Sequence, residues 1–300
     1  MLFLLSFFFT FFLRQTMSHL STDSYKSFKK SKYRTIKYTT YFSTYDEIFR
    51  PYRNKKIIFL EIGVFDGGSL FMWRDFFGPK AEIIGMDLNP EAKKWEKFGF
   101  KIFIGDQADQ EFLKRTLKKI GPVDILLDDG GHTNHQQILT LINSIHYIKE
   151  NGLVVIEDCH TSYMRRYGNP SFFSFINYSK KIIDDINKRF FISKSSFNIP
   201  QKNIYSISFY DSIVAFKVNR KLSQPNKFID NGGVSSDPKD FRYDRTLIGF
   251  FTDLRLNLKK KSKKSVAIKL IYKILKPFLI FLNFILIKIS FINLLTYFKK

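Results

Sequence analysis

Five short apolar runs, each closing on an acid, constrain this chain more than any other feature. They cover residues 56–63, 81–87, 100–106, 123–129 and 153–158. Runs of this length and composition read as strands buried on both faces. Helical stretches stand between them, beginning near Leu70, Pro90, Asp109 and Ile138. Strands alternating with helices predict an α/β fold built on a doubly wound, mostly parallel sheet. Two further runs, 205–210 and 212–217, flank Asp211 as a hairpin and predict an antiparallel C-terminal strand. In such sheets ligands sit outside the carboxyl ends of the parallel strands, where all the acids fall.

The first three acids belong together. Glu61, Asp87 and Asp106 stand at successive strand ends. Glu61 opens the pattern Glu-x-Gly63-x-x-x-Gly67-x-Ser69, a glycine-rich turn that lets backbone approach a ligand closely. An acid before the first glycine suits a cationic or hydroxyl-rich ligand better than a phosphate. Asp87 has the position that accepts hydrogen bonds from ribose hydroxyls in nucleotide-binding units. Asn89 is the better placed helix cap before Pro90, which leaves Asp87 for the ligand. Asp106 and Gln107 follow the third strand and are read against an adenine edge, with helix capping as the other reading for Asp106.

The last two runs carry different chemistry. Asp128-Asp129-Gly130-Gly131-His132 and Glu157-Asp158 crowd acids and a histidine at two strand ends. Buried acids are costly unless paired or bound to metal. Hard carboxylate ligands select Mg²⁺ or a similar ion over zinc. A histidine three residues past a ligand is placed to take a proton from a hydroxyl that a metal has acidified. Asp128 is read as a buried acid that orients the loop. His135 is read as facing solvent or supporting the site from outside, His146 as structural within an amphipathic helix, His160 as a minor candidate beside the site, and Cys159 as no nucleophile.

Charge is unevenly spread. The chain of 300 residues has a net charge of +22, yet residues 46–166 hold 17 Lys/Arg against 18 Asp/Glu. Residues 259–300 hold 11 Lys and no acid. A neutral core argues against a nucleic-acid partner. A single cysteine excludes an internal disulfide framework and fits a cytoplasmic, reducing setting.

The strand-end series resembles the class I S-adenosylmethionine-dependent methyltransferases, which have a Rossmann-like sheet; Phe65 stands where many members have a glycine. Within them, Asp-Gly-Gly-His followed by Ile-Glu-Asp is similar to the metal-dependent sugar O-methyltransferases of macrolide biosynthesis and their cephalosporin-hydroxylase relatives, with Gly131 replacing a serine. The similarity covers roughly residues 38–163. It implies S-adenosylmethionine bound by Glu61, Gly63, Gly67, Ser69, Asp87, Asp106 and Gln107, with Asp128 in support. It implies Mg²⁺ held by Asp129, Glu157 and Asp158, and His132 as the general base for a sugar or glycan hydroxyl. A hydroxylase-like activity and a non-catalytic, membrane-associated binding module are the alternatives.

The flanks complete the expected organisation. Residues 1–45 form an N-terminal arm packing on the core, with a substrate lid as the other reading. Its apolar stretch 1–16 is read as lying upstream of a true start at Met17, against a membrane-surface anchor or a buried segment. The methyltransferase domain spans 46–218, with 165–175 as a substrate-side lid. A polar, basic linker covers 219–264. The tail, 265–300, is read as a basic, apolar helix lying at a membrane surface, which would make the protein peripheral. A helix spanning the membrane over 278–298, opposed by the cost of Lys288 at its middle, and packing on a partner or in a homo-oligomer are the alternatives.

Overall fold

The computed structural model describes residues 18–168, 172–234 and 245–298. The expectations for 1–16 and for a start at Met17 lie outside the described residues. The chain divides into two compact units, Met1–Phe228 and Ile229–Lys300.

In the first unit the apolar runs become β1 (Ile58–Ile62), β2 (Glu82–Asp87), β3 (Lys101–Ile104), β4 (Val123–Asp128) and β5 (Ile148–Ile156). The hairpin supplies β6 (Ile204–Phe209) and β7 (Val214–Val218). The sheet order is β3-β2-β1-β4-β5-β7-β6. Strands β1 to β5 pair in parallel, and β7 runs antiparallel to both β5 and β6. This is the expected Rossmann-like architecture. The order reverses between β1 and β4, so a crevice opens there above the carboxyl ends.

Helices α1 (Asp23–Lys30) and α2 (Tyr41–Phe49) precede the sheet. Then come α3 (Gly68–Phe77), α4 (Gln110–Ile120), α5 (Asn134–Ser144), α6 (Phe175–Asn187) and the short α7 (Ile199–Asn203). Asn89 caps the expected helix after β2, which is a 3₁₀ helix over Pro90–Phe98. His146 lies just past α5, in a 3₁₀ turn.

Side-chain alternation along the strands decides which acid faces which layer. Phe59, Ile125, Leu127, Leu153 and Val155 join one core with Tyr41, Phe42, Tyr45, Phe49, Trp73 and Phe77. Leu60, Leu126, Val154 and Ile156 face the other core, with Leu113, Leu141 and Phe175. Glu61, Asp129 and Glu157 follow the parity of the first set. Asp128 follows that of the second.

Residues 23–49 form an integral layer of this unit. Phe42, Tyr45 and Phe49 are fully buried, and Tyr45 and Phe49 meet Trp73 edge-on. Burying each such ring contributes about 1.5–3 kcal/mol. Asp46 accepts the backbone N–H groups of Asp23 and Ser24, which fixes α1 to α2.

The second unit contains α8 (Leu247–Ser262) and α9 (Val266–Ser290). Helix α8 occupies the end of the stretch expected to be a linker. The basic run 259–261 disguised it, while Leu247, Ile248, Phe250 and Phe251 supply its apolar side. Asn283 of α9 donates to Thr252 of α8 at 3.0 Å. Helix α9 continues through Pro277. Its segment Val266–Ile289, 24 residues with a mean hydropathy of 2.0, is long and apolar enough to cross a bilayer.

Candidate active site

A cavity of about 660 Å³ lies at the carboxyl ends of the central strands, lined by the β1–α3 turn, the ends of β2 and β3, the loop after β4 and the arm. Gly63 has φ +92°, and a Cβ there would stand 2.1 Å from the carbonyl oxygen of Asp129. The β1 and β4 loops can approach this closely only with glycine at that position. Gly67 has φ +78° and its Cα is covered by the Trp95 ring.

Of the residues expected to bind cofactor, Gly63, Ser69, Asp87, Asp106 and Gln107 line this cavity. Glu61, Gly67 and Asp128 stand behind its wall. Glu61 is fully buried, and accepts hydrogen bonds from Ser69 Oγ at 2.7 Å and Trp73 Nε1 at 2.9 Å. Burial pushes its carboxyl up to about 7, against the pull of Lys37 and of these two donors.

Asp87 is less free than the sequence suggested. Its carboxylate accepts the N–H groups of Val64, Phe65 and Asn89. The glycine turn leaves the Val64 and Phe65 amides without strand partners, and the nearest acid takes them. Gln107 is likewise engaged: it donates to Asp128 and Thr140 and accepts from Gly131 N–H. It braces the β4 loop through Asp128, whose carboxyl is raised by burial and drawn back by Thr140 and Gln107. Asp106 lies on the cavity wall; Asp109, not Asp106, caps α4.

At the other end of the cavity, His132 sits with φ +57° between two acids. Its Nε2 is 3.5 Å from Asp158 Oδ2 and 3.9 Å from Asp129 Oδ1. Its Nδ1 is buried without a hydrogen-bond partner among the described residues. One ligand atom each from Asp129, His132 and Asp158 lie within 4.8 Å of one another, a spacing that suits a metal ion. Two of those atoms are carboxylate oxygens, the donors Mg²⁺ prefers.

Glu157 does not join this group. Its Oε1 accepts from Tyr45 Oη at 2.6 Å, and its Oε2 from Lys37 Nζ at 2.8 Å. Lys37 also reaches Asp129 Oδ2 at 2.6 Å. Burial alone would depress the Lys37 ammonium, but Asp129 and Glu157 outweigh it and hold the pKa above the usual lysine value. The expected triad Asp129, Glu157 and Asp158 is therefore divided: Lys37 bridges the first two, and Asp158 turns to His132 and Tyr41.

Lys37, Tyr41 and Tyr45 are the residues sequence reasoning did not place in the site. Burial, together with carboxylate neighbours, raises both tyrosine hydroxyls and keeps them protonated as donors. The four-residue spacing of Tyr41 and Tyr45 was the available signal for those two, because it sets both hydroxyls on one face of α2; Lys37 lies before the helix and gave none. Around the rim, the Tyr167 ring stands 6.2 Å from His132, and the exposed Tyr38 packs edge-on against His160. His160 Nδ1 in turn meets Ser212 Oγ at 2.6 Å. His135 is exposed, and Cys159 is buried with its thiol raised by burial.

Comparison with known proteins agrees with this geometry. Residues 60–159 match the family described as a methyltransferase domain. Mycinamicin VI 2''-O-methyltransferase of Micromonospora griseorubida is 37% identical over 134 residues, which cover 42% of this chain and 33% of that protein. Demethylmacrocin O-methyltransferase of Streptomyces fradiae is 35% identical over the same extent. The match thus spans about a third of the length of these curated relatives. Among solved structures, the MycE methyltransferase of the mycinamycin biosynthetic pathway, in complex with Mg, SAH and mycinamycin VI, superposes with a TM-score of 0.59 at 29% identity. That superposition covers 73% of this chain and 57% of MycE. Strand order and acid-tipped strands agree with these matches: residues 60–159 are similar to a methyltransferase domain, and the chain resembles the macrolide-sugar O-methyltransferases.

Proposed function

We propose that the protein is an S-adenosylmethionine- and Mg²⁺-dependent O-methyltransferase acting on a sugar or glycan hydroxyl, with His132 as general base. The observation that carries this is the setting of His132. It shares one cavity with the Asp87 and Asp106 strand ends, and two carboxylates that fit a metal flank its Nε2. When bound, the cofactor supplies an activated methyl group and the metal a Lewis acid that makes an acceptor hydroxyl easier to deprotonate.

The chain's own residues do the rest. Gly63, Ser69, Asp87 and Asp106 shape the cofactor end, and Gln107 with Asp128 holds the Gly130–Gly131 turn against it. His132 Nε2 takes the proton of the acceptor hydroxyl, and Asp158 and Asp129 stand ready to stabilise the imidazolium that forms. Asp129 and Asp158 offer oxygens to the metal directly. Glu157 completes the expected set only if its present partners yield. Exposed Tyr38 and the Tyr167 ring beside His132 suit the apolar faces of a sugar.

The acceptor is read as membrane-borne. Helix α9 leaves its apolar surface open, with only 6% of its most apolar stretch buried, and carries Lys269, Lys273 and Lys276. Such a helix binds anionic lipid through both area and charge. Calorimetry with S-adenosylmethionine, with and without Mg²⁺, tests the core of the proposal; no cofactor binding in either condition would leave only a non-enzymatic role. Co-sedimentation with phosphatidylglycerol vesicles, lost on deletion of 265–300, tests the membrane reading; undiminished sedimentation of the deletion variant would overturn it.

A further inference from the structure

Lys37 is the strongest charge in the site that the proposed chemistry does not use. Its side chain is 1% exposed, as is that of Glu157. A buried ammonium is unfavourable unless well paired, and two carboxylates brought together without a cation repel each other. The arm solves both problems by delivering Lys37 between the ends of β4 and β5. The Tyr45 ring lies beneath the ammonium, 5.8 Å away, and closes it from water.

A magnesium ion needs its oxygen ligands at about 2.0–2.1 Å. An ion drawing on Asp129 Oδ2 and Glu157 Oε2 would enter the space that the Lys37 ammonium fills, against its positive charge. These two oxygens can serve the lysine or the metal, not both. Asp158 Oδ2 and Asp129 Oδ1 face His132 on the far side of Asp129.

We propose that Lys37 is a tethered occupant of the cation site, which a divalent ion must displace to gain Glu157 as a ligand. This rests on the reading of the site as metal-dependent. Displacement reaches beyond the carboxylates, because residues 34–38 form one wall of the cavity. That wall is held by the Gly68 N–H bond to Arg34 O at 3.2 Å and by the Arg34–Asp66 ion pair at 3.7 Å. Removing the Lys37 anchor loosens a segment that closes the cofactor end as well as the metal end. Metal binding and the conformation of the cavity wall are therefore linked, and Lys37 acts as a positioning residue that sets how tightly the ion is held.

The test uses Mn²⁺ as the probe on the full chain. Lys37→Met should lower the Mn²⁺ dissociation constant by about tenfold or more, read by calorimetry. In the wild type, Mn²⁺ should speed hydrogen exchange of the amides in 34–38; in Lys37→Met those amides should exchange alike with and without Mn²⁺. A gain in affinity without any change in wild-type exchange means a general charge effect at a distance and overturns displacement. Equal Mn²⁺ affinity in both proteins also overturns it, while leaving the metal-dependent reading in place. If neither protein takes up Mn²⁺, both readings fall. Should Lys37→Met not fold, the wild-type exchange measurement decides alone: faster exchange supports displacement, and unchanged exchange overturns it.

Discussion

The Tyr41 hydroxyl donates to Asp158 Oδ1 at 2.5 Å, joining the first turn of α2 to the second residue past β5. Asp158 has φ +54°, so its side chain leaves the strand direction and depends on partners to stay aimed. Tyr41 holds one oxygen and leaves the other for His132. Tyr41→Phe keeps the ring in the core and removes only the hydroxyl. It should lower kcat by about 10–100-fold, as loss of a supporting hydrogen bond at such a carboxylate does, and lower stability by about 1–2 kcal/mol. Steady-state kinetics and urea denaturation on the same preparation check both numbers. Unchanged kcat would mean that Asp158 is positioned without Tyr41.

His132 itself should separate binding from chemistry. His132→Ala removes the ring but none of the groups on the cofactor side. S-adenosylmethionine affinity should stay within about threefold, while turnover drops by about 10²–10⁴, the usual worth of a positioned general base. Calorimetry reads the first and a methyl-transfer assay the second. Wild-type turnover in this variant would remove His132 from the mechanism.

The fold was readable because strand burial and strand-end acids are local properties. Each run from 56 to 158 carries its own period and its own terminus, so β1 to β5 follow from the sequence. Sharing of the carboxylates was not readable. Asp129 and Glu157 look like a metal pair in sequence, but the partner that divides them, Lys37, lies 92 and 120 residues away. The same holds for Gln107, whose amide is consumed by Asp128 and Gly131 after the chain has crossed the sheet. Asp87 illustrates a third limit. Its backbone partners Val64 and Phe65 become unpaired only because Gly63 turns the chain, which no propensity at Asp87 itself reveals.

Gln107 leads to a prediction about loop order. Its side chain satisfies Asp128 on one side and Gly131 N–H on the other, and it is buried. Gln107→Ala leaves Asp128 with Thr140 and the Gly130 N–H as partners and frees the turn before His132. Stability should drop by about 1–3 kcal/mol, the cost of a buried polar group losing its partner. Amides 130–132 should exchange faster in the same variant. A stability loss with no change at those amides would place the role of Gln107 in packing alone.

Glu61 makes the stability of the protein depend on pH, and the sign is unusual for an acid. In the folded chain without ligands it keeps its proton up to about pH 7, whereas the unfolded chain releases it near 4.5. Between those values the folded state binds more protons, so this contribution to stability is present at the acid end and fades as pH rises to about 7. The slope is at most about 1.4 kcal/mol per pH unit. Glu61→Gln keeps the shape and both hydrogen-bonding partners but cannot titrate. Urea midpoints from pH 5 to 8 should therefore fall less steeply for Glu61→Gln than for the wild type, with the two curves running parallel above pH 7. Glu157 and Asp128, also raised by burial, titrate in both proteins and cancel in the comparison. Curves parallel throughout the range would show that Glu61 is ionised in the folded protein, with Lys37, Ser69 and Trp73 strong enough to offset its burial.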